Sequence, residues 1–230
     1  MAAVDDVKSL SQIFLFADLR DEELAELNGL LHRKTFPAGS NIINVADRAE
    51  QVFILLEGTV KIYVDQIDGS EVILAFLGPG DTFGEMSMVG SGGRSANVVA
   101  MEECICLSMD RASFHRCLKS MSGLSYNLVR LMNRRLRLAN EQIQALSTLD
   151  VRGRVARQLL AFAQQYGRQS DDGVLIPLRL TQTDLAALVG ASRERVNQVI
   201  VDFKESGYIG VDSTHRISVR SLDALTEAFE

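Results

Sequence analysis

No apolar run in this chain approaches the ~18 residues of a membrane span. Its opening, Met-Ala-Ala-Val-Asp-Asp-Val-Lys-Ser-Leu, lacks the basic-then-apolar plan of a signal peptide. Cysteine is scarce as well. Three residues, an odd number at irregular spacing, argue against a disulfide framework and suit a reducing, cytoplasmic setting. Positive charge is not in excess either: the net charge is -6. From Asp150 onward ten Lys and Arg face eleven Asp and Glu, so any contact with nucleic acid has to rest on a local patch. No internal repeat or low-complexity tract appears. What is present is a soluble, globular balance, 47% hydrophobic and 23% charged, in 230 residues, enough for one large domain or two modest ones with a real core.

Three textures follow one another. From about Phe14 to Met109 the chain is strand-like, with β-branched or apolar runs at Asn41–Ile43, Gln51–Leu56, Val60–Val64 and Val72–Leu77. Glu57-Gly58, Asp68-Gly69-Ser70 and Gly78-Pro79-Gly80-Asp81 punctuate them as turns. This predicts an antiparallel sandwich, roll or barrel, preceded by a short helix from Asp21 to Leu31 capped by Asp18 or Asp21. From Ser122 to Leu149 one long helix is expected. Val129, Met132, Leu136, Ala139, Ile143 and Leu146 alternate spacings of three and four, the a/d seam of a helix that packs against a second copy of itself. Leu128, Leu131 and Leu138 are left to face the roll. The competing reading is a core helix lying on the roll; Arg130, Asn133, Arg134, Arg137 and Glu141 leave little else apolar but those three leucines, so the seam itself is better matched to a partner helix.

From Asp150 to Glu230 short helices end in a small hairpin. Val151–Tyr166 reads as a helix stopped by Gly167, and Gln169-Ser170-Asp171-Asp172-Gly173 as a loop. Thr181 with Asp184 opens a further helix whose inner face is Leu185, Leu188 and Val189. Gly190 supplies the sharp turn, and Ser192 caps a second helix buried through Val196, Val199, Ile200 and Phe203. This is a helix-turn-helix. Arg193, Glu194, Arg195, Asn197 and Gln198 point outward at the start of the second helix, where such side chains reach base edges of the major groove. A solvated helix face is the plain alternative, but the turn, both caps and the outward arginines coincide. Thr181 and Gln182, at the start of the first helix, join the candidate DNA-contacting set with Ser192. Tyr208–Val211 and Ile217–Val219 are expected to flank a wing whose tip carries His215 and Arg216.

Phe83-Gly84-Glu85-Met86 and Arg94-Ser95-Ala96 form the other constellation. Glycine admits a ligand close to the backbone, a carboxylate can hold sugar hydroxyls, and an arginine beside a hydroxyl can hold a phosphate. Taken in order with the long helix, Leu149-Asp-Val-Arg-Gly-Arg-Val-Ala and Ser192-Arg-Glu, these motifs resemble the cyclic AMP receptor protein (CRP/FNR) family of bacterial transcription regulators over nearly the whole chain. The resemblance implies an α+β architecture: an N-terminal antiparallel β-roll of the cyclic-nucleotide-binding type (1–121), a dimerisation helix (122–149) and a C-terminal winged helix-turn-helix (150–230). It implies that Gly84 and Glu85 bind the ribose and phosphate region, Glu85 accepting from the 2′-hydroxyl, with Met86 beside them in the ligand-binding set, that Arg94 and Ser95 bind the cyclic phosphate, and that Arg135 reaches the ligand. The pair Ala139 and Asn140 is implied to meet the base, Asn140 from the opposite subunit. Cyclic AMP is the expected effector, with no metal. DNA bearing a palindromic operator, a second copy of the chain and RNA polymerase are the expected partners.

Two departures stand out. The family's cyclic AMP sensors commonly carry two hydroxyl residues where this chain has Ala139 and Asn140. Alanine offers no side-chain hydrogen bond and asparagine both donates and accepts, which leaves cyclic GMP and cyclic di-GMP as alternatives. Relatives that read TGTGA-like half-sites commonly have arginine where Gln198 stands, which predicts a related but altered operator. Rival functions find less support. An iron–sulfur or redox sensor needs a cysteine cluster before the roll, and none is present. Zinc, haem or a cupin-type catalyst needs grouped histidines or a nucleophile with its base, whereas His32, His115 and His215 are scattered. A nucleotide-binding regulatory subunit acting without DNA leaves Arg193-Glu194-Arg195 unexplained.

Overall fold

The computed structural model describes residues 3–90 and 92–229. Among the described residues twelve short strands and eight α-helices, preceded by two short 3-10 turns, follow in the order β1 (His32–Phe36), β2 (Asn41–Ile43), β3 (Gln51–Glu57), β4 (Val60–Asp65), β5 (Glu71–Leu77) and β6 (Thr82–Phe83), with α1 (Asp21–Leu30) before them. Next come α2 (Met86–Val89), β7 (Asn97–Ala100), β8 (Cys104–Asp110), α3 (Arg111–Ser120), α4 (Ser122–Thr148) and α5 (Val151–Tyr166). The last elements are β9 (Arg168–Ser170), β10 (Gly173–Ile176), α6 (Gln182–Leu188), α7 (Arg193–Glu205), β11 (Ile209–Val211), β12 (Ile217–Val219) and α8 (Leu222–Glu227). They group into two compact units, 1–62 with 76–137 and 63–75 with 138–230, so the division falls inside α4.

The N-terminal strands form two four-stranded sheets, ordered β1-β8-β3-β6 and β2-β7-β4-β5. β3 is central in the first, antiparallel to β8 with Val52 opposite Met109 and Ile54 opposite Leu107. Its residues Val52 to Leu55 are all buried, because a strand covered on both faces reads as a continuous apolar run and not as an alternation. Phe53 stacks on Phe83 of the neighbouring strand at 5.3 Å between ring centroids. The core of this unit joins Leu10, Leu27, Ile54, Leu107 and Phe114 to Leu124, Leu128 and Leu131 on the first turns of α4. Asn28, itself buried, pins the start of the chain by accepting from Ala3 N and Val4 N and donating to the Val4 carbonyl.

Cys104, Cys106 and Cys117 are free and buried. Desolvation pushes the Cys104 thiol up to about 11 and the Cys106 thiol to about 12, and raises Cys117 as well. Thiolate, the reactive form, is therefore nearly absent near neutrality. Labelling with a chromogenic disulfide at pH 8 is expected to leave all three thiols unreacted in the native protein and to titrate all three in denaturant. Fast native labelling of any one would revive redox sensing.

Three details differ from expectation. α1 is not capped by Asp18 or Asp21: Arg20 is the N-cap, and the Glu23 carboxylate folds back to accept from Arg20 N at 3.0 Å. Asp21 instead occupies the first helical position, where its charge favours the N-terminal dipole. The stretch 169–173 is not a plain loop, because β9 and β10 pair around it, Gly173 opposite Ser170, in a sheet ordered β11-β12-β10-β9. On α4, Leu128 and Leu131 are buried, but Leu138 is 39% exposed and does not share their packing.

Candidate effector cradle and nucleic-acid interface

The turn from β6 into α2 carries the first site. Gly84 has φ +81, a left-handed conformation that side chains rarely adopt. A Cβ there would lie 2.8 Å from Arg94 Nη1 and 3.2 Å from the Gln51 carbonyl oxygen, so only glycine fits. Glu85 follows at 1% exposure. One of its carboxylate oxygens accepts from Arg135 of α4, whose other terminal nitrogen donates to the Thr82 carbonyl. The second, Glu85 Oε2, is buried with no hydrogen-bond partner among the described residues.

Arg94 lies on the other side of this turn at 8% exposure. It donates to the Gly84 carbonyl at 3.1 Å and to the Gln51 carbonyl at 2.8 Å, and its Nε is buried without a partner. Burial pulls its pKa down from the ordinary value, while Asp47, Glu85 and Glu50 act in the opposite sense from a distance. Among the described residues no carboxylate forms an ion pair with it. A guanidinium held on carbonyls alone remains an uncompensated buried charge, and an oxyanion with charge-assisted hydrogen bonds supplies what it lacks. Ser95 beside it is exposed, with its hydroxyl free to join such an anion.

Sequence reading missed the support of this cradle. Arg111 of α3 reaches the carbonyls of Ala49, Ser87 and Gly90, and His115 Nε2 donates to the Met88 carbonyl. The Ser87, Met88 and Gly90 carbonyls lie in and just beyond α2, a helix too short to satisfy its own ends. Gln51 and Thr82 contribute only backbone oxygen, which no side-chain pattern marks. Met86 is exposed, and so are Ala139 and Asn140 on the surface of α4.

The second site belongs to the other unit. α6 is capped by Thr181, whose hydroxyl accepts from Asp184 N at 3.1 Å, and α7 by Ser192, which accepts from Arg195 N at 3.3 Å. Gly190, at φ +63, makes the turn between them. Val196, Val199, Ile200 and Phe203 are buried. Arg193, Glu194, Arg195, Asn197 and Gln198 are exposed, and none of these side chains is held by a hydrogen bond or ion pair among the described residues. A cavity of about 240 Å³ opens where Thr181, Gln182, Arg193 and His215 converge. That convergence brings the wing to the helix-turn-helix, which sequence spacing did not reveal. At the wing tip Arg216 is partly used internally, donating to the Pro177 carbonyl and Thr214, whereas His215 adopts φ +63 and is exposed.

Comparison with known proteins finds two matching family models in different parts of the chain. Residues 33–121 match the model of a cyclic nucleotide-binding domain, and residues 153–228 that of a Crp-like helix-turn-helix domain. A CRP-like cAMP-activated global transcriptional regulator of Mycobacterium tuberculosis is 34% identical over 203 residues, covering 88% of this chain and 91% of that protein. The cAMP-activated global transcriptional regulator Vfr of Pseudomonas aeruginosa is 36% identical over 197 residues, covering 82% and 91%. The structure of FixK2 from Bradyrhizobium japonicum superposes with a TM-score of 0.77 over 87% of this chain and 98% of that one, and at 21% identity it supports the fold alone.

Proposed function

This chain belongs to the cyclic AMP receptor protein family of transcription regulators, and from that premise we propose that it is a homodimeric, sequence-specific DNA-binding regulator gated by cyclic AMP. The observation that carries the effector reading is the pair of unsatisfied groups in the cradle, the Arg94 guanidinium without a carboxylate and the orphaned Glu85 Oε2. Cyclic AMP supplies complements to both. Its phosphate accepts from Arg94 and Ser95, and its ribose 2′-hydroxyl donates to Glu85. Arg135 holds Glu85 in place, Met86 borders the sugar, and Asn140 offers an amide to the base. Cyclic GMP and cyclic di-GMP share the phosphate chemistry, and Asn140 is the residue that selects among bases.

The working parts are the roll at 1–121, the dimer helix at 122–149 and the winged helix-turn-helix at 150–230. Arg193, Glu194, Arg195, Asn197 and Gln198 read bases, while Thr181, Gln182 and Ser192 approach the backbone. In the homodimer two α7 helices about 34 Å apart occupy successive major grooves of a palindrome. Effector acts only through its preference for the arrangement in which that spacing is met. RNA polymerase is the downstream partner, the setting is the cytoplasm, and the chain performs no catalysis.

Calorimetry with cyclic AMP, cyclic GMP and cyclic di-GMP, followed by gel shift on duplexes selected by the protein from random DNA, tests this reading. Cyclic AMP is expected to bind and to tighten DNA binding. Arg193→Ala should cost about 1–3 kcal/mol of base discrimination with cyclic AMP affinity retained. Unaltered sequence preference in that variant would remove Arg193 from the reading surface, and indifference to all three nucleotides would refute the effector assignment.

A further inference from the structure

A helix leaves its last carbonyl groups without intrahelical partners. α6 ends at Leu188, at the turn that aims α7, and two carbonyls there are taken by side chains from other helices. Gln142 of α4 donates through Nε2 to the Leu188 carbonyl at 2.9 Å. Arg154 of α5 reaches the Gly190 carbonyl at 3.4 Å. Leu146, one turn beyond Gln142, lies against the same turn, since a Cβ on Gly190 would come within 3.1 Å of its Cδ2. Ala145 between them is buried. Glu141, next to Gln142, pairs with Arg157 of α5 at 2.8 Å. All these residues belong to the unit formed by 63–75 and 138–230.

We propose that Gln142, with the Glu141–Arg157 pair beside it, is a positioning residue that ties the recognition helix to the helix that senses effector. The inference rests on the function proposed above and names its route of regulation. Ala139 and Asn140, the pair assigned to the base, occupy the two positions immediately before Glu141 and Gln142. A rotation imposed at Asn140 therefore reaches the clamped residues within the same helical turn. The clamp then carries it to the Leu188–Gly190 turn and so to the direction of α7, because a side chain bonded to the C-terminal carbonyl of α6 cannot move without moving the turn.

Two variants test this. Gln142→Ala removes the donor, and Gln142→Glu keeps its shape but replaces the donating amide by an acceptor. Hydrogen exchange at residues 189–195, measured without effector or DNA, should quicken several-fold in both. Cyclic AMP affinity should stay within about twofold of wild type, while the ratio of DNA affinities with and without cyclic AMP falls about tenfold. A charge swap, Glu141→Arg with Arg157→Glu, should restore more of that ratio than either single change. An undiminished ratio, or unaltered exchange, overturns the proposal. A wild-type protein indifferent to cyclic AMP overturns the effector reading alone, and the exchange measurement still decides the clamp.

Discussion

Arg94→Ala is expected to weaken cyclic AMP binding by about ten- to a hundredfold, the equivalent of losing one hydrogen-bonded charge contact of about 1.5–3 kcal/mol. The guanidinium is nearly buried, so the phosphate it meets is shielded from water and the loss is not made up by solvent. Two consequences separate this from general damage. Arg94→Lys retains the charge but not the two-pronged grip on the Gly84 and Gln51 carbonyls, and should fall between wild type and alanine. Sedimentation of the Arg94→Ala protein should be unchanged, because the seam of α4 lies elsewhere. Calorimetry reads the affinity directly. If alanine binds cyclic AMP as tightly as arginine, the cradle is not the effector site.

The second large effect concerns α4. Val129 is 66% exposed, Leu136 and Ile143 63% each and Leu146 45%, with Ala139 exposed between them. Tyr126, one turn before Val129, is exposed too. An apolar stripe of this length at heptad spacing has an unfavourable contact with water, and burying each large side chain is worth about 1.5–3 kcal/mol. In the proposed homodimer a second copy supplies the matching stripe, since in a two-fold pair each residue meets its own seam. Replacing Leu136 and Ile143 together by glutamate puts four charges into that seam. The double variant should sediment as a monomer and lose operator affinity by at least about a hundredfold, because one recognition helix then binds without its twin. Thermal melting of the roll should be largely retained, as Leu124, Leu128 and Leu131 still pack inward. Survival of a stable dimer would show that the stripe pairs with something other than itself.

Local chemistry made much of this legible. Gly190 and Ser192 lie within one short stretch of chain, and the turn and cap they form follow from their own backbone preferences. The heptad spacing of α4 likewise marked Val129, Leu136, Ala139, Ile143 and Leu146, which are exposed, but it also placed Met132 in that stripe, and Met132 is half-buried against the core of the roll. The caps of α1 were read less well, since an aspartate near a helix start has several positions available and Glu23 competed successfully for the free amide. Leu138 shows the same limit: periodicity assigns a helix face, but not where along the helix its covering ends.

The sequence by itself determined the strand-rich first half, the long helix and the two helices of the helix-turn-helix with the turn between them, though not the hairpin of β9 and β10, and it marked Gly84, Glu85 and Arg94 as having the chemistry of an anion and sugar site. These are matters of backbone preference and side-chain type, which act within a few residues. Only the tertiary structure decided that Arg94 is bonded to carbonyls and, among the described residues, paired with no carboxylate, that Arg135 holds one oxygen of Glu85 and leaves the other bare, that Arg111 and His115 brace α2, and that Gln142 closes the end of α6. Each of these depends on groups tens of residues apart meeting at hydrogen-bond distance. A hydrogen bond is satisfied by geometry, and no one-dimensional pattern encodes which distant carbonyl will be left open.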